Sequence, residues 1–168
     1  IIDAEIIDTL NMIKATQQLI YTNNSPDDLP HVFFHLYANA FEPDSYLDEF
    51  RKGNKMLTKY REDEIKKKNL EILSIQSNKK NLEVEIDNTI MKVYLDKPLR
   101  SGETIKFDIN FESHFGGNEE EGNVRRRMKT YQDFGNKHYN GVHWYPRISV
   151  YDSKFGWTTD QHLGKEFY

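Results

Sequence analysis

The feature that most constrains this fold is the run from Thr104 to His114, which alternates without interruption. Ile105, Phe107, Ile109 and Phe111 fall on one side, against Lys106, Asp108, Asn110 and Glu112 on the other. That is the period of a half-buried antiparallel strand, so a sheet with one wet face is required. Upstream, Thr89 to Leu95 is rich in Ile, Val, Tyr and Thr and is expected to pair with it, with Asp96 to Gly102 as the connecting loop through Pro98 and Gly102. Burying the four apolar side chains contributes roughly 6 to 12 kcal/mol before conformational entropy is counted, enough to anchor a small core. The polar residues of this stretch are those of any wet sheet face and carry no chemistry.

Other strand signals agree. Ile1 to Ile7 and Met12 to Tyr21 are β-prone runs joined around Asp8, Thr9 and Asn11, and a turn-rich stretch follows from Thr22 to Pro30. His31 to Tyr37 has the composition of a strand buried on both faces. Leu70 to Gln76 and Leu82 to Ile86 predict another hairpin across Ser77 to Asn81. One helix is expected over Ser45 to Asn54, where Ser45 can cap, Asp48 follows three residues later and Gly53 can close the end. Lys55 to Lys68 mixes acids with bases and suits a solvated connector or an exposed edge. From Phe115 to Gly141, five glycines break up a segment holding Glu119 to Glu121 and Arg125 to Arg127, so residues 115–141 are expected to form a long mobile loop.

Composition then narrows the class. A chain of 168 residues with 37% hydrophobic content, and with ten Tyr and ten Phe, suits one folded β-rich domain. A net charge of -4 and a pI near 5.9 supply no global basic field for nucleic acid or anionic lipid. With no cysteine there is neither a disulfide nor a thiolate metal site, and no apolar run reaches the ~18 residues of a membrane span. The chain starts at Ile1 rather than Met, as a trimmed polypeptide would.

Motifs for chemistry are sparse. His31 and His35 have the spacing of the outer histidines of His-Glu-x-x-His, but the Glu is missing. On a strand they would also stand roughly 13 Å apart, too far for one zinc. His114, His138, His143 and His162 show no ligand spacing, so no metal ligand is assigned. Nucleophile elbows, P-loops and dinucleotide fingerprints are absent. Glu119 to Glu121 would bind calcium only with further oxygens folded onto them. Arg125 to Arg127 beside Tyr131 and Phe134 are one basic and aromatic cluster in an acidic chain, thin support for nucleic-acid binding. The aromatic tail is the informative feature. Trp144, Tyr145 and Trp157 either plug the end of the sheet or line a groove for a sugar or a partner domain, and with His143 and Arg147 they are the candidate interface residues.

Taken together, LIYTNNSP (residues 19–26), FFHLYANAF (33–41), DNTIMKVYLDKPLRSG (87–102), HWYPRISVYD (143–152), Gly156-Trp157 and GKEFY (164–168) resemble the N-terminal domain of the aminopeptidase N-like zinc metallopeptidases, most closely the bacterial ones. The resemblance implies an all-β, saddle-like antiparallel β-sandwich with at most one short helix near residues 45–54. It implies that residues 1–168 are a single noncatalytic domain, a truncated part of a larger protein. The partners implied are a catalytic domain of the same polypeptide and, in the parent, a peptide substrate at a cleft this domain helps to wall. Zinc, its ligands and the catalytic Glu would belong to that missing domain, and no cofactor to this chain. An exported parent, periplasmic or in the cell envelope, is the implied location. Some family members place a Gln or Glu near the substrate's amino terminus, just ahead of the segment matching His143 to Pro146. Here that neighbourhood is Asn140, Gly141 and Val142, so no substrate contact is carried over. The alternative is a stand-alone carbohydrate- or protein-binding β-sandwich using the same rings.

Overall fold

The computed structural model describes residues 1–56, 60, 66–115, 128–131 and 136–163. Two antiparallel sheets form a sandwich, and the fold is all-β with a short α-helix among the described residues. Strand β1 (Ile2–Ile7) folds back on β2 (Met12–Thr22) through a single 3-10 turn, with Asn11 left-handed at φ 51°. The opening hairpin expected from the sequence is therefore present. After β3 (Leu29–His35) come a 3-10 turn (Tyr37–Phe41) and helix α1 (Tyr46–Gly53). The remaining strands are β4 (Leu70–Ser77), β5 (Lys80–Asn81), β6 (Val84–Asp87), β7 (Ile90–Leu99), β8 (Thr104–His114), β9 (Met128–Tyr131), β10 (Asn136–Tyr139), β11 (Arg147–Ile148), β12 (Tyr151–Asp152) and β13 (Gly156–Trp157). One sheet runs β1-β2-β8-β4-β5 and the other β11-β3-β7-β6, and β9 pairs with β10 and β12 with β13.

The alternation in β8 places its residues as expected. Phe107, Ile109 and Phe111 are wholly buried, while Lys106, Asp108, Asn110 and Glu112 face outward. Its partner is different. β8 lies between β2 and β4, and β7 lies in the opposite sheet between β3 and β6, so the expected hairpin over Asp87 to His114 is replaced by a crossing between layers. Period-2 patterning fixes which face of a strand is buried, and it is silent on the neighbour. The crossing is built around Asn23, which is fully buried. Its side-chain amide donates to the carbonyls of Asp27 (2.7 Å) and Leu99 (2.9 Å). Its backbone N–H donates to Glu103 O, and its carbonyl accepts from Gly102 N–H. Gly102 sits at φ 80°, a left-handed conformation that favours glycine. The ladder of β7 also continues through Pro98 to Leu99, where a loop was expected from Asp96.

The hairpin across Ser77 to Asn81 is corrected in the same way. Asn78 and Lys79 both take positive φ, and β4 turns tightly onto the two-residue β5. Leu82 N–H still reaches Ile75 O, and the chain then leaves for the other sheet as β6. β3 is shorter than the apolar run, because Tyr37 belongs to the 3-10 turn. Its sides also differ, with Val32 and Phe34 wholly buried but His31 and Phe33 only half-buried.

Helix α1 starts as expected, since Ser45 Oγ accepts from Asp48 N–H at 3.1 Å. Asp48 Oδ2 accepts from Asp44 N–H rather than from the capping residue, and the helix closes on Asn54 and a left-handed Lys55 rather than at Gly53. Within 115–141 a strand pair, β9 with β10, stands where only loop was expected. The mobility expected of that loop concerns residues 116–127 and 132–135, outside the described residues, as do 57–59 and 61–65 of the charged connector and 164–168 of the tail.

The core lies between the sheets. Val32, Phe34, Met91 and Val93 from one layer meet Ile13, Ala15, Leu70, Ile75, Phe107, Ile109 and Phe111 from the other. Phe34 meets Phe107 edge to face at 5.6 Å. Among the described residues no helix is long and apolar enough to cross a membrane.

Candidate functional site

The residues after β10 return along the β3 edge of the four-stranded sheet. β11 pairs with β3, setting Arg147 opposite His35 and Ile148 opposite Phe34, and Ser149 N–H donates to Phe33 O. Ile148 therefore faces the core and Arg147 faces outward, exposed. The five interface candidates divide between two places.

Trp144, Tyr145 and Trp157 are half-buried and cover the core. The Trp144 ring lies 6.0 Å from Phe111 and 5.4 Å from Tyr145. A Cβ added at Gly141 would stand 3.3 Å from Trp144 Cδ1, so that glycine admits the indole. Trp157 sits apart from this pair, 6.0 Å from Tyr21, 6.1 Å from Phe33 and 5.1 Å from Tyr151. Tyr151 in turn donates its hydroxyl to Asp27 Oδ2 at 2.9 Å. The rings join β2, β3 and β8 to the tail.

His143 and Arg147 belong to a second group centred on Tyr37. His35 stacks on the Tyr37 ring at 4.7 Å and 5°, while His143 and His162 meet it edge-on at 5.1 and 5.6 Å. The Arg147 guanidinium lies 5.8 Å from the ring centroid. Gln161 fastens this end of the tail. Its Oε1 accepts from Thr89 N–H and Oγ1, its Nε2 donates to Asp87, and His162 N–H donates to Thr89 Oγ1.

Burial holds the His35 imidazole below its ordinary pKa, helped by Arg147 and opposed by Asp160 and a hydrogen bond to the Thr158 backbone. Burial likewise lowers His162 and raises the Tyr37 phenol. Both imidazoles are thus biased to the neutral form, and His35 lies near the Arg147 guanidinium. Sequence reasoning singled out His143 and Arg147 but not their convergence on Tyr37 with His35 and His162, because strand pairing and tail return, not spacing, bring these residues together.

Among the described residues, two groups hold side chains that could ligate a cation. Asp44, Asp48 and Glu49 at the start of α1 are one. Lys52 Nζ already sits among them at 2.9, 3.0 and 2.8 Å. Glu71, Glu112 and His114 on the outer face of β4 and β8 are the other. No metal ligand was expected of His114 from the sequence; Glu112 and His114 share the outward side of β8, and Glu71 comes opposite Glu112 only through the β4–β8 register.

No known protein family matches the chain, and no curated protein matches it either.

Proposed function

We propose that this chain is the noncatalytic N-terminal β-sandwich domain of a zinc-dependent aminopeptidase-like protein, supporting a catalytic domain of the same polypeptide and forming one wall of its peptide cleft. One observation supports this reading: the segments that bear the sequence resemblance, among the described residues, adjoin one another in space, far apart though they are in the chain. Asn23 of the first segment binds Leu99 of the third, and Leu36 N–H of the second donates to Thr89 O. Tyr21 and Phe33 both meet Trp157, and Arg147 pairs with His35. These contacts link the segments into one connected framework. In this reading the outer sides of His143, Trp144, Tyr145, Arg147 and Trp157 face the catalytic domain.

The zinc of such a protein would sit in that other domain. This chain has no His-Glu-x-x-His, and no step of peptide hydrolysis is assigned to its residues. Translating the reading frame beyond Tyr168 tests the proposal. A His-Glu-x-x-His with a second Glu downstream is the expected result, and a stop codon soon after Tyr168 would overturn it.

One observation favours the stand-alone binding module. Phe155, 80% exposed in the β12–β13 turn, and Val150, 59% exposed just ahead of β12, place apolar surface on the hairpin that carries Trp157. A glycan array separates the readings, since specific hits abolished by Trp157→Ala would support the binding module.

A further inference from the structure

The outer face of the five-stranded sheet carries a charge arrangement that the sandwich itself does not require. Glu71 of β4 stands directly opposite Glu112 of β8 in the ladder. Like charges facing each other across strands are destabilising. His114, two residues along β8 on the same side, brings Nε2 to 4.0 Å from Glu112 Oε2. One ligand atom from each of the three lies within 4.8 Å of the others. On the far side of Glu112, Lys14 of β2 is in register, but among the described residues it makes no ion pair with either carboxylate. The contrast with α1 is direct: there three carboxylates surround the Lys52 ammonium, and here, among the described residues, no ion pair to a side-chain ammonium is made by either glutamate.

We propose that Glu71, Glu112 and His114 form a three-ligand site for a divalent transition-metal ion on the outer face of this sheet. Two carboxylate oxygens and one imidazole nitrogen suit Zn²⁺, Co²⁺ or Mn²⁺. Ligands at about 2.0 to 2.2 Å from a tetrahedral ion stand roughly 3.3 to 3.6 Å apart, so modest side-chain rotation closes the set and the strands need not move. Their backbones are pinned by the β4–β8 ladder and by His114 N–H donating to Asn69 O. Glu112 and His114 are largely buried, with side chains 24% and 12% exposed, and Glu71 is exposed and supplies the open side. Three protein ligands leave a coordination position for water or a partner's side chain, so the site could bridge to another molecule. It is independent of the zinc assigned above to a separate catalytic domain.

The test is titration of the 168-residue chain with Co²⁺, followed by visible absorption, and with Zn²⁺ by calorimetry. Glu71→Gln and Glu112→Gln are the variants, and Glu85→Gln on β6 of the other sheet is the control. The wild type and the control should each bind one equivalent that both site variants lose or bind about tenfold or more weakly. Metal should raise the wild-type melting temperature and leave that of Glu71→Gln unchanged. Without metal, Glu71→Gln should melt about 1 to 2 °C above the wild type, because the carboxylate repulsion is gone, and this shows that the variant folds. Absence of binding to the wild type, or equal binding and equal thermal shifts in the site variants, would overturn the proposal.

Discussion

On the five-stranded sheet the outward row of Thr16, Asn110 and Ser74 is joined by hydrogen bonds of 2.8 and 2.9 Å and lies open to water. Along the β3 edge of the other sheet, Trp144, Tyr145, Ile148 and Trp157 cover apolar core that the strands alone leave uncovered. One region is a polar surface whose side chains mostly serve one another. In the other, the tail completes the fold and carries the candidate interface on its outer side. The difference teaches that ring count alone does not identify a binding platform, because these rings already work inside the chain, and only their outer sides and Arg147 are available to a partner.

Substitutions should separate the two regions in stability. Trp144→Ala removes a half-buried indole that seals the core beside Phe111 and should cost about 3 kcal/mol, read as a lower urea midpoint with an unchanged slope. Next comes Asn23→Ala, which leaves the Leu99 and Asp27 carbonyls unpaired at the crossing between sheets. About 2 kcal/mol should be lost there in the same measurement. Thr16→Ala on the open face should cost only about 0.5 kcal/mol, since water replaces its bond to Asn110. If Thr16→Ala cost as much as Trp144→Ala, the contrast between a sealing edge and an open face would be lost.

The smallest effect is a slope with pH. The folded pKa values of His35 and His162 lie below the ordinary 6.5, so the unfolded chain binds more protons in the window just below that value. Stability from their burial is complete above about pH 6.5 and is lost as pH falls through the folded values. Melting curves at pH 7.5 and 5.5 should therefore converge in His35→Phe relative to the wild type. An unchanged gap would remove His35 from the explanation.

The legible part of the fold was the part written in local pattern. Alternation in β8, the β1–β2 hairpin and the Ser45 cap each need only neighbours in sequence to declare themselves. Partner choice did not follow, because the Asp96 to Gly102 segment serves a hairpin or a crossing equally well, and Asn23, from a distant loop, selects the crossing. For the candidate site, the aromatic excess after Val142 named His143, Trp144, Tyr145, Arg147 and Trp157. Their division into core-covering rings and a Tyr37-centred group depends on β11 pairing with β3, which two residues of strand do not announce. Glu71 joined Glu112 and His114 for the same reason: register across strands is a property of the sheet and not of either segment.

The central functional claim is tested most directly by assaying the protein encoded by the whole reading frame for hydrolysis of amino-acid 4-nitroanilides, with and without a chelator, beside the 168-residue chain. Chelator-sensitive hydrolysis by the full protein and none by the chain alone is the expected result. A full protein without hydrolytic activity, or hydrolysis by the isolated chain, would contradict a supporting role beside a zinc peptidase domain.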